Sequence, residues 1–237
     1  MGNNQQSLKT ARTMMTRFSI VSAMLMVSLF LAGCSKQEVD YKYKITVEVE
    51  TPDGVASGSA VRHLKYQSTP FAIIQTGEAV MIDMPNGKTL FKLMDIDTRD
   101  IHFATFYWDD FTQAREKRDY KRKDFKVLLD EAKESKRCFR YPSIADATER
   151  NIDYPQFVYF DDGQDPNSVQ IVDPGDLETS FGEGYKLKQI SVQMTEEPVS
   201  HKIQKRLAWL KTGWLYDPIT SRRNSLDISI YHHNFVQ

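Results

Sequence analysis

The side chains that could do chemistry fall into three sets. Glu78, Asp83, Asp161 and Asp162 are carboxylates of the kind a hydrolase uses in pairs, one as acid and one as base. The run Asp161-Asp162-Gly163-Gln164-Asp165 gathers three carboxylates around a glycine, an oxygen-rich set of the kind Ca²⁺ takes. Its spacing is not that of the twelve-residue calcium loop, which places ligands at alternate positions and ends on a distant Glu, so an acidic turn is the plainer reading. The two cysteines, Cys34 and Cys138, are the third set. His63, His102 and His201 stand alone, and the adjacent His232 and His233 would point to opposite faces of a strand. Gly58-Ser59-Ala60 lacks the second glycine of a nucleophile elbow, and there is no phosphate-binding glycine loop, HExxH or CxxC. No catalytic residue, cofactor or firm metal site is assigned, and Asp161, Asp162 and Asp165 are the metal candidates.

Cys34 stands in the most informative surroundings. Residues 1–17 carry Lys9, Arg12 and Arg17 and no acid, and residues 18–33 (FSIVSAMLMVSLFLAG) hold twelve apolar side chains in sixteen with no charge. A basic stretch before a short apolar run is the pattern of a secretory signal peptide, and the run is shorter than the ~20 residues a membrane-spanning helix needs. A signal starting at Met14 or Met15 would have the same form. Leu31-Ala32-Gly33-Cys34 resembles the lipobox of bacterial lipoproteins. The resemblance implies a diacylglyceryl group on the Cys34 thiol and cleavage between Gly33 and Cys34. It also implies sorting by the next residue, where Ser35 in place of aspartate favours the outer membrane, facing the periplasm. Two or three acyl chains hold a protein lastingly where one is marginal.

The near-balance of 31 basic and 32 acidic residues therefore joins unlike parts. Removing residues 1–33, with their three bases and no acids, leaves 204 residues with 28 bases and 32 acids, a net of −4. That charge argues against a general nucleic-acid binder, and 41% hydrophobic content argues for a packed core. The acylated Cys34 leaves Cys138 no partner within the chain. Its neighbours Lys136, Arg137 and Arg140 would favour the thiolate if it were exposed, whereas a buried Cys138 would be an inert core residue.

The elements that must position these groups are mostly strands. Residues 34–40 read as a lipidated tether, and 41–237 as a single domain. Tyr41, Tyr43, Ile45, Val47 and Val49 alternate with polar residues, which predicts a strand over 41–50 with one buried face. Thr51-Pro52-Asp53-Gly54 predicts a turn, and residues 55–64 a second strand with a bulge at Ser57-Gly58-Ser59. Strands are expected at 78–84 and 89–94 around the turn Pro85-Asn86-Gly87-Lys88, making a β-meander, and at 156–160 and 169–172. Residues 185–194 alternate imperfectly, so their register reads as weakly fixed. Helices are expected over 111–136, with Phe125, Leu128, Leu129 and Ala132 on one face, and over 198–210, with Val199, Ile203, Leu207 and Leu210 sharing a face. Trp209 and Trp214 should pack the end of the latter onto the sheet, and 226–231 should add an edge strand. Arg115–Lys126 holds seven bases against three acids, a solvated helix face or a patch for anionic lipid, and 141–200 holds twelve acids against three bases. The fold class is α+β: an antiparallel sheet with a few packed helices, after a cleaved signal peptide.

The stretches ITVEVETPDGVASGSAV (45–61), GEAVMIDMPNGKTLF (77–91) and 157–210 resemble a group of uncharacterised bacterial envelope proteins. The resemblance implies one integrated domain and brings no activity with it. The expectation is a membrane-anchored envelope lipoprotein that binds another protein, its acidic segment steering a basic partner, or a structural component; the alternative is a hydrolase of an envelope polymer using paired carboxylates.

Overall fold

The computed structural model describes residues 39–66, 73–94, 133–134, 136, 138–149, 154–211, 233 and 235–236. The chain divides into two compact units, Met1–Glu38 and Val39–Gln237, and the described residues belong to the second. The signal and lipobox, nearly all of the 111–136 helix with its basic run, His102, His232, Trp214 and the 226–231 strand lie outside them.

The α+β antiparallel fold is as expected. The described residues form two sheets and very short helices. β1 (Val39–Thr51) and β2 (Gly54–Tyr66) form a long hairpin. β3 (Ile73–Thr76) pairs with the end of β2. β4 (Val80–Asp83) and β5 (Thr89–Lys92) follow, then β6 (Cys138–Arg140), α1 (Ile144–Glu149), β7 (Phe157–Phe160) and β8 (Val169–Val172). α2 (Leu177–Phe181), β9 (Lys186–Met194), α3 (Ile203–Arg206) and a 3₁₀ turn at Ala208–Lys211 come next among the described residues. The first sheet runs β3-β2-β1-β9-β6 and the second β4-β5-β7-β8, with every pairing antiparallel.

Alternation decides which side chains meet. Tyr43, Ile45, Val47 and Val49 of β1 are fully buried and meet Val80 and Ile82 of β4, Leu90 of β5 and Phe157 of β7 in a core between the sheets. The second sheet is apolar on both sides. Its other face, with Phe91, Leu93, Val158 and Phe160, packs against Ile203, Leu207, Leu210, Phe235 and Val236. The third layer is thus a short helical segment plus the last residues of the chain. Gly77, at φ +139°, lets the chain leave β3 and cross from the first sheet to the second.

Three expectations are corrected. Residues 57–59 carry no bulge, because β1 and β2 pair without a break from Thr51↔Gly54 to Val39↔Tyr66. Gly58 is needed for a different reason: a Cβ there would lie 1.9 Å from the Met81 carbonyl oxygen, where β4 crosses beneath β2. The bulge is in β9. Glu48 faces Gln189 and Val49 faces Leu187, so Lys188 is the extra residue, which switches the inward phase from Tyr185 and Leu187 to Ile190, Val192 and Met194. The imperfect alternation therefore marks a defined register. Finally, the helix expected over 198–210 is one turn plus a 3₁₀ turn. Ser200, Lys202 and Ile203 use their backbone N–H groups on Val61 and Glu78, so the segment before Ile203 is held by the sheets, and Val199 is not buried.

Candidate functional site

Glu78 and Asp83 sit at the two ends of the β4 segment, and both serve α3. Glu78 is 2% exposed, and its Oε2 accepts from the backbone N–H of Lys202 at 2.5 Å and of Ile203 at 2.7 Å. The N-cap residue of α3, Lys202, provides no side-chain cap, so a carboxylate 125 residues from Ile203 in sequence supplies it. Asp83 is exposed and takes Arg206 Nη2 on both oxygens at 2.7 Å, with the Thr89 hydroxyl on one. The two acids clamp one helix rather than face one another as an acid and a base.

The acidic run is likewise committed to its own loop. Asp161 accepts from Gln170 Nε2 at 2.9 Å, Asp162 from the Gln164 N–H at 2.8 Å, and Asp165 from the Asn167 N–H at 2.9 Å, where it caps a 3₁₀ turn at Pro166–Ser168. Trp209, half-buried against Phe160 and Phe235, donates from its indole to the Gly163 carbonyl and docks the loop onto the 3₁₀ turn Ala208–Lys211. Among the described residues no group of three or more His, Cys, Asp or Glu side chains is placed to hold a metal ion.

Other charged groups are also tied to partners. A hydrogen bond from His63, 2.6 Å away, holds the Asp40 carboxyl below the usual range. The Thr179 hydroxyl does the same for Asp176, which caps α2. Burial pushes the Tyr154 phenol up to about 12. Lys88, from the turn after β4, donates to the Ser180 carbonyl at the end of α2 and stands 4.3 Å over the Tyr159 ring. Among the described residues no helix is long and apolar enough to cross a membrane.

Cys138 is a free and exposed thiol on β6, opposite Gln193, so it is not a buried core residue. Beside it, a surface cavity of about 460 Å³ opens between Lys133, Lys136 and the stretch 193–197. Both of its carboxylates are paired: Glu196 meets Lys133, also in the lining, at 2.8 Å, and Glu197 meets Lys44 of β1 at 3.1 Å.

Comparisons with protein-family models, with curated proteins and with solved structures found no match for this chain. Arg62 and Lys92 are charged residues that belong to no sequence motif, and both are fully buried. Arg62 Nε donates to the Glu78 carbonyl at 3.0 Å, at the corner between the sheets. The phase of β2 held the signal for Arg62, since Ala56, Gly58, Ala60, Arg62 and Leu64 share the inward face.

Proposed function

We propose that the protein is a lipoprotein of a bacterial cell envelope, held by acyl chains on Cys34. Its body acts by binding another protein or as a structural component. The observation that carries this reading is Leu31-Ala32-Gly33-Cys34 at the end of an apolar run, with the first strand starting at Val39. The five-residue step from Cys34 to Val39 spans at most ~18 Å, which keeps the start of β1 near the lipid surface. The acidic residues within 141–200 would attract a basic partner across the periplasm. The commitment of Glu78, Asp83, Asp161 and Asp162 to structural hydrogen bonds supports a binding role over the hydrolase alternative.

Membrane fractionation tests location. The wild-type chain is expected with the outer membrane of a two-membrane host, Ser35→Asp with the inner membrane, and Cys34→Ser as an unprocessed precursor. A wild-type chain recovered from the soluble fraction would contradict the proposal.

A further inference from the structure

Among the described residues, one side of β2 is left open over half its length. Its other side pairs with β1 throughout. On the open side, β3 takes His63–Tyr66, and Ser200 takes Val61 in both directions. The Val61 N–H donates to Ser200 Oγ at 2.9 Å, and the Ser200 N–H donates to the Val61 carbonyl at 3.0 Å. In an antiparallel ladder the side to which N–H and C=O point alternates residue by residue. Since those of Val61 point away from β1, those of Ser59, Ser57 and Val55 do too. Among the described residues no strand pairs there.

This edge has none of the usual guards. Residues 54–60 read GVASGSA, without a charge, a proline or a side chain larger than valine. No bulge interrupts it. Val55 is 52% exposed, and Ser57 and Ser59 are exposed beside it. An open, flat and uncharged edge is a template for another strand.

We infer that a second copy of this chain adds here, antiparallel, about a two-fold axis at Ser57. Setting Ser57 opposite Ser57 of the second copy puts Val55 opposite its Ser59. Outward residues then face outward residues, as the ladder requires, for about six backbone hydrogen bonds. Gly54 meets Ala60 at each end, and the pairing stops there. The next position, Val61, is occupied by Ser200, and its counterpart is Asp53 in the hairpin turn. The open lane therefore ends where its own two-fold copy ends. Charge permits the pairing as well. Glu48, beside Ser57 on β1, is three strand spacings from its counterpart, ~14 Å. That exceeds the screening length of ~8 Å at physiological salt. A contact this narrow falls short of the ~1,200 Å² of a stable interface, so it depends on crowding the copies in one membrane, and to that extent rests on the anchor at Cys34.

The test uses the full chain in membranes of the cells expressing it, with Cys138→Ser to remove the exposed thiol. Ser57→Cys is oxidised with a copper catalyst and compared with Ala145→Cys, on the exposed side of α1. The ~5.5 Å between facing Cα atoms lies within disulfide range. A self-linked dimer at least ~10-fold above the control is expected. Adding Ser59→Pro, which removes a donor pointing away from β1, should cut that yield at least ~5-fold. Equal linking of Ser57→Cys and Ala145→Cys, linkage to a different protein, or indifference to Ser59→Pro would each overturn the inference. Acylation of Cys34 is assayed on the same membranes, so loss of the anchor and loss of pairing are read separately.

Discussion

Replacing Glu78 by alanine is expected to destabilise the fold by about 4 kcal/mol. The carboxylate is buried and accepts two backbone N–H groups that α3 does not otherwise satisfy. Bonds to an ionised acceptor are roughly twice as strong as neutral ones, and each donor orphaned away from water costs ~1–3 kcal/mol. The loss also reaches the third layer. Ile203, Leu207 and Leu210 cover Phe91 and Phe160 only while the start of α3 is held. Glu78→Gln should recover part of the loss, because its amide oxygen still accepts. Denaturant unfolding measures both variants. A loss below about 1 kcal/mol for Glu78→Ala would show that α3 does not depend on this cap.

Gly58→Ala is expected to cost about 3 kcal/mol, from one added methyl group. The methyl would sit 1.9 Å from the Met81 carbonyl oxygen, 2.8 Å from its carbon and 3.0 Å from Ile82 Cγ1. A flexible side chain could turn away, but here the obstacle is backbone. β4 cannot yield cheaply, since Met81 pairs with Phe91 and the carboxylates at either end of the segment hold α3. The sheets would have to separate above Val80 and Ile82, which are fully buried. Ser59→Ala, on the exposed face of the same strand, should stay within about 0.5 kcal/mol. Equal unfolding midpoints for Gly58→Ala and wild type would refute the close approach.

These two residues show where sequence alone stops. The hairpin β1–β2 was legible because one face is buried: Tyr43, Ile45, Val47 and Val49 repeat at period two, and Pro52-Asp53-Gly54 closes the turn. β9 was legible only in part. Its broken alternation encodes the extra residue Lys188, which can be recognised once β1 is known to be its neighbour. β3 was missed because four residues carry too little pattern. α1 and α2 were missed because helices of six and five residues rest on caps such as Asp176 rather than on a periodic face. The division into two sheets was not legible either, since period two names a face and not the neighbour across it. The apolar run Phe157–Phe160 did carry the hint of a strand covered on both sides. Glu78 read as a candidate catalytic carboxylate rather than a helix cap, since its partners lie 124 and 125 residues away.

The most direct test of the account is the mass of the mature chain purified from membranes. A first residue Cys34 carrying a diacylglyceryl thioether, usually with a third acyl chain on its amine, is what the account predicts. Cys34→Ser should abolish both the lipid mass and the cleavage after Gly33. A mature chain that retains residues 1–33, or begins at Cys34 without lipid, would contradict it.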